Sequence, residues 1–289
     1  MAGTDTARML STTNHDRDAA GMTYVYPVIS RRAGGVSIGV NLNPNNACNW
    51  HCAYCQVPEL IRGSAPDIDI SLLNNELTSF LKEITKGNFM QEHVPEGCRR
   101  VCDVAISGNG EPTSSRQFDT VVESIVACLR HAGLLDTINI VLITNGSYVH
   151  RPEVVRGLEL MAAHRGQVWF KLDAGSDAAI ARINGVSLSV GRQLQQLAAA
   201  ASHCPTWIQT CLFAWDGHAP EEGEMQAYLA LLDKAVKRGV RLQGVLLYGL
   251  ARPSMQPEAS RLSRLPDTWM QAMAARIEQQ CGLEVRLSL

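Results

Sequence analysis

The sequence predicts an α/β protein built on a parallel sheet, and three observations carry that expectation. Short, largely apolar stretches alternate six times with longer stretches whose apolar residues recur close to every 3.6 positions. The strand-like stretches are apolar throughout, as strands covered on both faces are. The chain has 289 residues, 46% of them hydrophobic, enough for one sizeable core, and α/β barrels occupy roughly 200–250 residues as single domains.

Taken in order, residues 36–42 are β-branched at their start and give the first strand. A loop of turn-forming residues follows. The first helix is expected from Ser71, a good N-cap, with Leu72, Leu73, Leu77, Phe80, Leu81 and Ile84 on one face and Gly87 as its stop. Residues 101–106 form the second strand and run into the loop 108–113. The next helix places Phe118, Val121, Val122, Ile125, Val126 and Leu129 along one side. A third strand over 138–143 ends in Thr144-Asn145-Gly146, and Pro152 opens the third helix.

Residues 168–173 are the fourth strand, followed by a broken helical stretch through Ile183 and Leu194 to Ala201. The fifth strand is 207–213. The helix after it is acidic at its start (Glu221, Glu222, Glu224) and basic at its end (Lys234, Lys237, Arg238), matching the helix dipole. A sixth strand over 240–250, a helix through Met273 and Ile277 to Gly282, and a short closing strand over 284–287 complete the chain. Six units are too few for a closed eight-fold barrel. Residues 1–22 are polar and lack a steady period; they read as a disordered leader, or as sequence upstream of a later start, before a single domain over 23–289.

A net charge of −2 gives no electrostatic footprint for non-specific nucleic-acid binding. No apolar run reaches the roughly 18 residues of a membrane span, and no signal-peptide core is present. Nine cysteines, an odd number, point to the reducing cytoplasm.

Chemistry concentrates in one stretch. Cys48, Cys52 and Cys55 fall inside eight residues, at spacings of four and three. Three thiolates are too few to close a structural zinc site. They suffice for three irons of a [4Fe-4S] cluster, since thiolate is the soft ligand such clusters select, and the fourth iron is then open. The competing reading, a core-facing helical stripe of small apolar cysteines, conflicts with the turn-forming flank Asn41 to Asn46. The cysteines follow the first expected strand, Gly108 to Thr113 the second, Thr144-Asn145-Gly146 the third and Asp173 the fourth, all at carboxyl ends, where parallel α/β folds collect function.

Cys48, Cys52 and Cys55, with aromatic Tyr54 before the last, resemble the CxxxCxφC motif of radical S-adenosylmethionine (SAM) enzymes. The stretches 37–42 and 107–113, the latter carrying Gly110-Glu111-Pro112-Thr113, are similar to the MoaA-like and wyosine-type Fe-S oxidoreductase branch. The resemblance implies an open (β/α)6 partial TIM barrel, a [4Fe-4S] cluster on the three cysteines, and reductive cleavage of SAM to a 5′-deoxyadenosyl radical that abstracts a substrate hydrogen. Gly108, Asn109 and Gly110 let the backbone come close to a ligand and Glu111 offers an acceptor for an ammonium group; the resemblance implies that Gly110-Glu111-Pro112 holds the methionine amino group, that Thr144 and Asn145 contact the ribose, and that Tyr54 packs on adenine. A flavodoxin or ferredoxin-type protein is the implied electron donor.

Plainer roles stand beside these: a turn before the second helix for 108–113, an N-cap or turn for Asn145-Gly146, loop packing for Tyr54. Lys171 and Asp173 are two apart on one expected strand and point the same way. If that face lines the barrel they are substrate contacts; if it faces helices they are a satisfied ion pair. Gln209 and Arg252 are weaker candidates, His51, between two of the cysteines, would tune a cluster without ligating it or else is an exposed loop histidine, and Cys98 and Cys102 read as core. Three rivals to an enzyme of unidentified substrate are kept: a wyosine-type tRNA base-modifying enzyme, a non-catalytic iron-sulfur carrier or sensor, and a zinc-bound structural module.

Overall fold

Seven strands of one sheet run parallel and an eighth opposes them. In the computed structural model, which describes residues 9–11, 21–30 and 33–289, the sheet contains β1 (Val25–Ser30), β2 (Gly35–Val40), β3 (Val101–Ile106), β4 (Asn139–Thr144), β5 (Gly166–Lys171), β6 (Thr206–Cys211), β7 (Leu242–Tyr248) and β8 (Val285–Ser288). Their order across the sheet is their order in the chain. From β2 to β8 every pairing is parallel, while β1 pairs antiparallel with β2. Side chains of β1 and of β7 line one cavity, so the sheet curls around it without closing. This is a partial barrel, as expected.

The strand β1 was not foreseen. Pro27 sits in its middle, and proline, lacking an N–H, confines a strand to a sheet edge; β1 is that edge. Of the expected leader, residues 1–8 and 12–20, which include His15 and Asp16, lie outside the described residues, as do Arg31 and Arg32. Leu10 donates its backbone N–H to the His93 carbonyl at 2.8 Å and packs against the core.

The helices are α1 (Ile70–Lys86), the short α2 (Phe89–His93), α3 (Phe118–His131), α4 (Pro152–Ala163), α5 (Asp177–Asn184), α6 (Val190–His203), α7 (Glu222–Lys237) and α8 (Asp267–Cys281). The N-cap of α1 is Asp69, not Ser71: its carboxylate accepts the Leu72 N–H at 2.9 Å. Leu72, expected on the buried face, is exposed, whereas Leu73, Leu77, Phe80, Leu81 and Ile84 are buried. The broken stretch after β5 is two helices. Ser176 caps α5, Gly185 ends it in the left-handed conformation (φ 60°), and Ser189 caps α6.

The helices cover the outer face of the sheet. Ile106, Ile140, Leu142, Val168, Phe170 and Ile208 point into that layer and belong to the main core. Ala105, Val141, Trp169, Trp207 and Leu246 point the other way and form a smaller apolar plug inside the curl. Among the described residues, no helix is long and apolar enough to cross a membrane.

Candidate functional site

Above the plug, inward positions turn polar. Lys171 and Gln209 are partners across β5 and β6, and Cys211 and Tyr248 across β6 and β7. All four line a cavity of about 280 Å³ that also receives Cys48, Cys52 and Cys55. All nine cysteines are free thiols.

The cysteine loop is held from three sides. At its start, the Asn41 side-chain oxygen accepts the N–H groups of Asn43 and Asn109, each at 3.0 Å, and Asn109 donates its amide to Asn46 at 2.6 Å. Asn43 donates to the Ala47 carbonyl at 2.9 Å. On a second side the end of α5 docks: Asn184 and Ile183 carbonyls accept from His51 (3.1 Å) and Ala53 (2.8 Å). On the third, the loop after β7 closes over it. Ser254 donates to the Ala53 carbonyl at 2.7 Å, Met255 to that of Cys55 at 2.8 Å, and Gln256 to that of Val57 at 2.8 Å.

Gly108 and Gly110 serve this docking. A Cβ at Gly108, whose φ is +158°, would lie 2.2 Å from the Asn41 side chain, and one at Gly110 would lie 2.0 Å from the Ala47 carbonyl oxygen. Glycine is needed there for the close approach of two loops of the same chain. Both glycines, with Asn109, also border the cavity.

Glu111 borders the cavity too, and it is buried, with both carboxylate oxygens occupied. One accepts from Thr113 N (3.1 Å), Thr113 Oγ1 (2.5 Å) and Thr144 Oγ1 (2.5 Å); the other accepts from Asn145 N at 2.7 Å. Burial pushes its pKa up and the four donors pull it down, with a net upward shift. Glu111 thus ties the loop after β3 to the end of β4. Thr144 is spent on this bond and on accepting the Gly146 N–H at 2.9 Å, and does not line the cavity. Asn145 does line it, while its side chain makes the expected turn, accepting from Ser147 N at 3.0 Å, and donates to Asn49 Oδ1 at 2.9 Å.

Lys171 is the last residue of β5, and Asp173 lies just beyond the strand rather than in it. Their link is not a direct ion pair. Lys171 Nζ donates to the Tyr54 hydroxyl at 2.6 Å, and that hydroxyl donates to Asp173 Oδ2 at 2.5 Å. Asp173 is buried and also accepts from Asn184 Nδ2 (2.8 Å) and Cys211 N (2.9 Å). The Tyr54 ring packs on Phe213, centroids 5.6 Å apart, and its hydroxyl pKa is raised by burial and by Asp173. Burial disfavours the Lys171 ammonium, but the surrounding groups, Tyr248 and Asp173 foremost, hold its pKa above the ordinary lysine range. Arg252, from the loop after β7, borders the same cavity; His51 does not.

Burial pushes the Cys48 thiol up to about 11 and the Cys52 thiol up to about 12. No three His, Cys, Asp or Glu side chains among the described residues converge to hold a single metal ion. An iron-sulfur cluster does not require such convergence, because each thiolate binds its own iron. Three soft donors bordering one cavity fit that group. Sequence reasoning missed Asn184, Ser254 and Gln256 as loop clamps; no local motif marks them.

No protein-family model matches the chain. Over 132 residues it is 27% identical to the GTPase Obg of Brachyspira hyodysenteriae, covering 44% of this chain and 16% of that protein. The sequence has no GxxxxGK[ST] phosphate loop, so no nucleotide-hydrolysing site is carried over. Among solved structures, TYW1 with a lysine-pyruvate adduct bound superposes with a TM-score of 0.57 at 16% identity, over 87% of this chain and 75% of that one. A radical SAM methyltransferase from Sphaerobacter thermophilus gives 0.57 at 14% identity, over 88% and 66%. HydG, a maturase of the [FeFe]-hydrogenase, gives 0.52 at 10% identity, over 86% and 51%. The chain therefore has the partial-barrel fold of radical SAM enzymes, and spans about two thirds of the length of the methyltransferase.

Proposed function

We propose that this chain is a radical SAM enzyme of still unidentified substrate. The observation that carries the reading is a convergence: Cys48, Cys52 and Cys55 border the same cavity as Glu111 from the loop after β3, Asn145 just after β4 and Lys171, the last residue of β5. The three cysteines would hold a [4Fe-4S] cluster. When bound, such a cluster supplies one electron to SAM, whose cleavage gives methionine and a 5′-deoxyadenosyl radical able to take a hydrogen atom from a substrate.

The chain's own residues do the binding and the shielding. The triple clamp on the cysteine loop fixes where the thiolates sit, so the loop need not reorganise. Glu111 keeps the loops after β3 and β4 in register and presents a carboxylate edge to the cavity, which suits a ligand ammonium. Lys171 presents a positive charge, so the ligand group it faces is an anion or a carbonyl oxygen. The plug of Trp169, Trp207 and Leu246 closes the floor against water.

A lysine adduct of the kind bound in TYW1 demands a neutral amine. Lys171, the one lysine bordering the cavity, is held as an ammonium, and its role here is read as electrostatic. Nine free thiols suit a reducing cytoplasm, where a flavodoxin or ferredoxin-type donor would supply the electron. The test is the electron paramagnetic resonance spectrum of anaerobically reconstituted, reduced protein. Addition of SAM is expected to perturb the cluster signal; an unchanged spectrum would favour a carrier or sensor instead.

A further inference from the structure

The three cysteines are not equivalent. α5 ends directly on the cysteine loop, and its last carbonyls accept from His51 and Ala53, the two neighbours of Cys52. Gly185 makes this contact possible: a Cβ there would lie 2.4 Å from the His51 carbonyl oxygen. Arg62 donates to both the Asn49 and the Gly185 carbonyls, joining loop and helix end again. Inside this joint lies Asn184, with no exposed surface. Its side-chain nitrogen is 3.5 Å from Cys52 Sγ and 2.8 Å from Asp173 Oδ2.

The amide can present only its NH₂ end to this pair, because a carboxylate oxygen and a thiolate both accept. Each of its two hydrogens thus has one acceptor. Cys48 has a 3.9 Å contact with Asn49 Oδ1 in which the sulfur is the donor, a bond that cannot survive deprotonation. Among the described residues, Cys52 alone of the three receives a side-chain N–H on its sulfur, whereas Cys48 receives the backbone N–H of Trp50.

We propose that Asn184 is a positioning residue for Cys52: its amide orients that sulfur, withdraws electron density from it, and makes a cluster bound there easier to reduce. Hydrogen bonds to ligand sulfurs are one of the means by which proteins set cluster potentials. The same amide joins Cys52 to the chain Asp173, Tyr54, Lys171, so one continuous hydrogen-bonded path runs from a cluster ligand to the cation in the cavity. The inference rests on the cluster reading given under the proposed function.

Asn184→Leu keeps the branch at Cγ and removes the donor; Asn184→Val removes the donor with a smaller side chain branched at Cβ. Both are compared with the unaltered chain after anaerobic reconstitution, measuring iron and sulfide content and then the midpoint potential by redox titration. The expected result is unchanged loading with a midpoint shifted to more negative potential in both variants. Unchanged loading with an unchanged or more positive potential would overturn the proposal. Loss of loading in both variants would overturn it as well, since one hydrogen bond to one sulfur does not decide whether three thiolates bind. If the unaltered chain takes up no iron, the cluster reading itself fails, and that result is distinct from the others.

Discussion

The two faces of the sheet are made of the same eight strands on different terms. Outward, Ile106, Ile140, Leu142, Val168, Phe170 and Ile208 are wholly buried beneath helices and carry no polar side-chain atom. Inward, the apolar plug is small, and above it the positions become Lys171, Gln209 and Tyr248, ringed by loops rich in asparagine, glycine and cysteine. The outward face is held by burial, which tolerates exchange of one apolar side chain for another of similar volume. The inward mouth is held by directional hydrogen bonds between residues far apart in sequence, where losing one partner leaves a buried group unsatisfied. Stability and site geometry are thereby assigned to opposite faces.

Substitutions should separate the two. The largest effect is expected from Cys48→Ser, Cys52→Ser or Cys55→Ser: cluster content by iron and sulfide analysis should be lost, while thermal unfolding of the cluster-free protein stays close to that of the cluster-free original. A large loss of stability would mean that these residues are core after all. Phe170→Ala is the mirror image. It empties a fully buried site and is expected to cost about 3–5 kcal/mol in denaturant unfolding, yet leave the cluster signal of the folded fraction unchanged.

Glu111→Gln is expected to lie between the faces. Gln cannot accept all four donors, so at least one is orphaned at about 1–3 kcal/mol, and SAM affinity should fall with it; a drop in affinity without any loss of stability would place the carboxylate purely in ligand contact. Of similar size, and read in ligand affinity, is Lys171→Met, which removes one charge-assisted contact, about 1.5–3 kcal/mol. Ligand binding should weaken by roughly 10- to 100-fold. Lys171→Arg should recover part of it, since an electrostatic role survives the exchange and a covalent adduct does not.

This division also explains what was legible in the sequence. Six βα units follow from periodicity alone, because the outward face writes its apolar residues at regular spacing. The three cysteines declare themselves by spacing. The antiparallel β1 was hidden by Pro27, and the N-cap of α1 by two competing candidates, Asp69 and Ser71, within one turn. The geometry of the mouth was not readable. Asp173 meets Tyr54, 119 positions earlier, and Ser254 meets Ala53, 201 positions earlier, through single hydrogen bonds that impose no local pattern. Gly108 and Gly110 were expected to admit a ligand; their tightest neighbours are Asn41 and Ala47 of the cysteine loop. A glycine shows that something comes close, not what it is.

The most direct measurement is product formation. Protein reconstituted anaerobically with iron and sulfide, then given dithionite and SAM, should release 5′-deoxyadenosine and methionine in equal amounts, and the Cys52→Ser variant should release neither. Full iron and sulfide loading with no 5′-deoxyadenosine would contradict the account.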